Sequence, residues 1–124
     1  MIKWVYLAIG GILGTICRYA LSGFVYKIAG SDFPYGTLIV NLLGCLLIGF
    51  LSVLSDEKFV LGPDMKLLWM AGFCGAFTTF STFMFETSNL LKDGEAIRAL
   101  YNIIGSVILG FVAFRFGAII GKWI

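Results

Sequence analysis

Four long apolar runs, separated only by short polar turns, take up almost all of this 124-residue chain. A helix needs about 20 mostly apolar residues to cross a ~30 Å hydrocarbon core at 1.5 Å per residue. Runs at about 2–27, 35–54, 65–91 and 95–122 meet that length. Residues 1–124 therefore read as a single four-helix transmembrane domain, an all-α integral membrane fold. Charged residues make up 13% of the chain, against about 25% in a soluble domain. That is too few to clothe a core in water. The turns and tails have no room for a catalytic domain, so no enzyme is expected.

The punctuation fits four spans. Gly30-Ser31-Asp32 closes the first run, and Pro34 stands where a helix tolerates proline, just before or within the first turn of the second. Ser55-Asp56-Glu57-Lys58 through Gly62-Pro63-Asp64 is the longest polar interruption, and Lys92-Asp93-Gly94 is the last. The opening run, Ile2 to about Tyr26, exceeds the 7–15 apolar residues of a secretory signal. It is expected to remain as the first helix. Cys17, Cys45 and Cys74 fall in separate spans and form no disulfide framework. Histidine, the commonest proton shuttle, is absent, and a net charge of +2 gives no reason to expect a nucleic-acid partner.

Membrane orientation follows the excess of Lys and Arg in cytoplasmic loops. With both termini on one side, that side carries Lys3, Lys58, Lys66 and Lys122, and the other carries Lys27, Lys92 and Arg98. So even a split sets hardly any orientation. Either one decisive lysine or the context of insertion fixes it, or the chain inserts both ways and pairs with an inverted copy. Gly10-x-x-x-Gly14 and Gly117-x-x-x-Gly121 suit close helix packing, within the chain or between chains.

Polar residues inside a span need a partner or water, so each is a candidate functional residue. Asn41 lies in the second run with Thr37 one turn away on the same face. It can glue helices together or serve an ion path, having both a donor and an acceptor. The third run holds Gly72-Phe73-Cys74-Gly75-Ala76-Phe77-Thr78-Thr79-Phe80-Ser81-Thr82-Phe83. Two glycines followed by four hydroxyl residues make a poor continuous helix, so a broken third helix is expected. In a membrane such a break is tolerated only inside protein or along a wet cavity, where freed carbonyls can hold a small cation. Phe80 and Phe83, three apart, share a face. Aromatic rings are positive at their edges, so these two can meet an anion without a fixed charge that would trap it. Ser81, Thr82 and Asn41 could donate hydrogen bonds to the same ion. Arg18 either snorkels outward or makes a vestibule positive. Glu86 either pairs with a cation or accepts hydrogen bonds in a polar track. Asn102 and Ser106 share a face of the fourth helix beside Tyr101, and Arg115 reads as an interfacial anchor or ion-pair partner.

Three strings, Gly10-Gly11-x-x-Gly14-x-x-x-Arg18-Tyr19, Pro34-x-Gly36-Thr37-x-x-x-Asn41-x-x-Gly44 and the Gly72–Phe83 segment above, together resemble the Fluc/CrcB family of fluoride channels. The match runs in order through three of the four helices, and the third string is the specific one. The resemblance implies an antiparallel, dual-topology homodimer in the cell inner membrane, passing fluoride passively through two pores. It implies pore roles for Asn41, Phe80 and Phe83, with Ser81 and Thr82 on the fluoride path and Arg18 in the vestibule. Thr37 and Glu86 map more loosely to the same path. A structural sodium ion at the dimer interface would be held by the backbone carbonyls of Gly75 and Thr78.

The rival reading is a small proton-coupled multidrug exporter of the four-helix dual-topology type. Proton coupling calls for a carboxylate deep in a span. The first helix has none, and Glu86 stands toward the end of its own.

Overall fold

The computed structural model describes all 124 residues, and everything regular in it is helical. Four segments are long and apolar enough to cross a membrane: Ile2–Ala29, Tyr35–Asp56, Pro63–Lys92 and Ala96–Trp123. The chain is a multi-pass membrane protein. The first two helices run on to Ala29 and Asp56, past the expected ends near 27 and 54, and the third span begins at Pro63 rather than 65. Pro63 opens it because a proline in the first turn forfeits only an amide that has no helical partner.

The third span is not uniform. A short α-helical turn, Pro63–Lys66, leads into a π-helix over Leu67–Cys74, and an α-helical turn follows at Gly75–Phe77. Thr78 and Thr79 then take extended backbone angles, with φ/ψ of −91°/159° and −150°/118°. An α-helix resumes at Phe80 and runs to Lys92, with Thr79 as its N-cap. The π-helical winding was not foreseen in the sequence.

Close packing explains the glycine pairs. A Cβ on Gly10 would run into the Leu68 carbonyl, and one on Gly14 into the Phe73 carbonyl. Gly10 and Gly14 thus seat the first helix directly on the backbone of the third span. Gly117 does the same for the second and fourth helices, where a Cβ would overlap the Leu46 carbonyl, and Gly121 lies against Phe50 and Val53. Both pairs serve packing within the chain. Most large apolar side chains on the first and fourth helices, among them Ile12, Ile16, Ile108 and Phe111, are exposed on the surface of the protein. A membrane helix can leave them there because lipid tails are as apolar as the side chains.

This packing can be tested at two glycines of the fourth helix. Gly117→Ala is expected to cost about 1–3 kcal/mol, since the added methyl must push two backbones apart. Gly105, with nothing within 4 Å of its would-be Cβ, should accept alanine within about 0.5 kcal/mol. Thermal melts in detergent followed by size-exclusion chromatography measure both. Equal midpoints for the two variants would contradict the packing account.

Candidate functional site

The extended pair Thr78-Thr79 is held by the second helix. Asn41 donates from Nδ2 to the Thr79 carbonyl at 3.1 Å and accepts at Oδ1 from the Thr79 amide at 2.8 Å. One side chain thus reaches both backbone groups of a residue whose amide has no helical acceptor, as a membrane interior demands. A second amide hydrogen on Nδ2 stays free of these bonds. Gly44, one turn beyond Asn41, makes room for this segment, because a Cβ there would collide with the Thr78 side chain.

The diversion of Thr79 changes its neighbours. Its amide would normally bond the Gly75 carbonyl, four residues back. The Thr82 amide, the normal partner of the Thr78 carbonyl, instead donates to Thr79 Oγ1 at 3.2 Å. Gly75 and Thr78 are therefore left with carbonyl oxygens whose helical donors have gone elsewhere. Oxygens of this kind suit a hard monovalent cation, so the residues present fit a sodium ion. The Ala76 carbonyl between them accepts from Arg18 Nε at 3.0 Å. Arg18 thus turns inward onto the backbone rather than snorkelling to the interface.

Phe80 and Phe83 begin the helix after the extended pair. Their ring centroids are 5.8 Å apart and their planes are inclined by 52°. Phe83 is buried, whereas Phe80 is 73% exposed. Both rings line a groove of about 460 Å³ with Asn41, Gly75, Thr78 and Ser106. Thr82 takes a hydrogen bond from the Thr79 hydroxyl at 3.1 Å and keeps its own proton to donate. Ser81 is exposed and outside the groove lining.

Thr37 turns to a different partner from Asn41. Its hydroxyl donates to one oxygen of Glu86, and the Tyr26 hydroxyl donates to the other at 2.6 Å. The two ion pairs in the protein, Arg98–Glu95 and Lys122–Glu57, leave Glu86 out. Glu86 is therefore an acceptor for hydroxyls, not the partner of a cation. A further chain ties the Phe83 turn to the fourth helix: Asn102 donates to the Thr87 hydroxyl at 2.9 Å, and Thr87 donates to the Phe83 carbonyl at 2.7 Å. Ser106 donates to Asn102 at 3.4 Å.

Tyr26, Thr79 and Thr87 were not singled out in the sequence. A phenol near the end of an apolar run looks like an interfacial anchor, and only its need for a hydrogen-bond partner marks it. Thr79 is held by its own backbone amide and carbonyl, and the Thr87 hydroxyl bonds the backbone of Phe83, groups that sequence does not display.

Residues 5–118 match the family described as CrcB-like protein, Camphor Resistance (CrcB). The chain belongs to the CrcB family. Among its relatives, a protein of Maridesulfovibrio salexigens is 45% identical over the whole chain and 98% of its own length. One of Citrifermentans bemidjiense is 48% identical over 87% of each chain. A third, of Nitrosococcus oceani, is 43% identical over 97% of this chain and 96% of its own. All three carry the name fluoride-specific ion channel FluC. As a CrcB protein the chain aligns over 87% to 98% of the length of these three relatives.

Proposed function

We propose that this chain is a passive fluoride-selective channel that exports cytoplasmic fluoride across the cell inner membrane and so confers fluoride resistance. The working unit is an antiparallel, dual-topology homodimer with two pores. The observation that carries this reading is the groove in which the extended Thr78-Thr79 pair, held by Asn41, meets the rings of Phe80 and Phe83. The name borne by its relatives supports it.

The chemistry follows from what fluoride needs. It is small and strongly hydrated, so entry into a narrow path requires replacement donors. Neutral donors, from Asn41, Ser81 and Thr82, supply them without a fixed cation that would trap the ion. The positive ring edges of Phe80 and Phe83 add attraction of the same moderate kind. Thr37 and Glu86 extend the polar track, and Arg18 raises the potential of the vestibule. A sodium ion on the carbonyls of Gly75 and Thr78 would fix the break in shape, with the matching oxygens of an inverted copy completing its shell. HF crosses membranes and dissociates inside at neutral pH, leaving an anion that a passive pore lets out.

Purified protein in liposomes under an imposed fluoride gradient tests this directly. Fluoride is expected to leave without any proton gradient, and chloride flux should be negligible. Equal chloride flux would end the selectivity claim, and flux that needs a proton gradient would favour the exporter. In cells, C-terminal reporters should signal on both faces of the membrane; a signal on one face alone would exclude dual insertion. Elemental analysis after desalting into potassium should still find sodium.

A further inference from the structure

The Glu86 carboxylate lies inside a membrane span with no basic side chain paired to it. An ionised carboxylate there needs donors, and three features supply them. Thr37 Oγ1 donates to one oxygen and Tyr26 donates to the other at 2.6 Å. The third is the start of the second helix. Thr37 is its third residue, so the backbone amide of Thr37 is one of those a helix leaves without an internal partner. That amide points to the Tyr26 hydroxyl oxygen at a long 3.4 Å. Tyr26 therefore accepts from the helix start and donates to the carboxylate, coupling the positive end of the second helix to the negative charge.

The sequence builds this contact deliberately tight. A Cβ on Gly36 would strike the Tyr26 ring and the Ser22 carbonyl. Only glycine at 36 lets the ring lie against the helix start with its hydroxyl at the carboxylate. Gly36 belongs to one of the three strings quoted above, and its close approach to Tyr26 is a reason for glycine at that position.

We infer that Tyr26 is a positioning residue of the ion path: with Thr37 it caps and orients the Glu86 carboxylate, so that a passing anion meets oxygens whose charge is already met by donors. This rests on the reading that Thr37 and Glu86 belong to the fluoride track. Tyr26 itself contacts the carboxylate and not the ion.

The test is a double-mutant cycle on fluoride flux. Tyr26→Phe keeps the ring against Gly36 and removes only the hydroxyl. It is expected to slow flux about tenfold, the scale of one hydrogen bond to a charged group. In a Glu86→Gln background the same change should have no further effect, because the two act as a unit. Equal losses in both backgrounds would make Tyr26 a structural residue and overturn the inference, as would unchanged flux in Tyr26→Phe. Flux unchanged by Glu86→Gln would instead remove Glu86 from the path and leave the channel reading standing on Asn41 and the phenylalanines. Infrared spectra give a readout free of flux. The carboxylate band that Glu86→Gln abolishes should shift in Tyr26→Phe, and an unmoved band would also overturn the inference.

Discussion

Phe80→Ile is expected to abolish most fluoride flux while leaving the fold intact. The ring is 73% exposed within the chain, so trading it for another apolar side chain removes little packing, and the thermal midpoint should stay within the range of about 0.5 kcal/mol seen for surface changes. What disappears is the positive ring edge in the groove. Losing an electrostatic partner worth about 1.4–2.7 kcal/mol along the path slows passage about ten- to hundredfold. Phe83→Ile should lose flux to a similar degree but also lose stability, because Phe83 is buried and the smaller side chain leaves a cavity. Parallel liposome flux and detergent melts separate the two effects. Normal fluoride flux in Phe80→Ile would take the ring out of the mechanism.

Asn41→Ala is expected to cost both flux and stability. It strips the Thr79 amide of its partner and the carbonyl of one of its donors, and an amide left unsatisfied costs about 1–3 kcal/mol. That is a large share of the stability of an ordinary domain. Asn41→Asp divides the roles. A carboxylate still accepts from the Thr79 amide but cannot donate to the carbonyl, and its charge repels an anion. The aspartate variant should therefore melt above the alanine variant yet conduct no better. An alanine variant that melts and conducts like the parent would show that Asn41 neither holds the segment nor serves the path.

Much of the architecture was legible because lipid is an exacting solvent. The four spans of the chain could be read from apolar length alone, since a backbone crossing hydrocarbon must satisfy its own hydrogen bonds. The Gly72–Phe83 segment stood out for the same reason: glycine and hydroxyl residues there work against a regular helix. The extended angles at Thr78 and Thr79 lie within it. Asn41 and Glu86 were conspicuous as polar groups in apolar surroundings. Their partners were not, because Asn41 bonds backbone 38 positions away and Tyr26 meets Glu86 across 60.

The glycine pairs mark the same boundary. Spacing showed that Gly10 with Gly14 and Gly117 with Gly121 would each form a smooth stripe, but it could not say which surface the stripe would meet. The structure seats one on the third span and the other on the second helix. Arg18 was balanced between snorkelling and an inward role until the Ala76 carbonyl, released by the nearby change in backbone, gave it an acceptor.

The sequence by itself determined that this chain lives in a membrane as four helices, and it marked the segment where the third of them would be irregular. Both are local consequences of side-chain chemistry in hydrocarbon. Only the tertiary structure decided which polar groups meet at the site, since Asn41 with Thr79 and Tyr26 with Glu86 join helices far apart in the chain. A membrane offers no water to satisfy a mistaken choice, so each donor is held to the one acceptor that packing brings within reach.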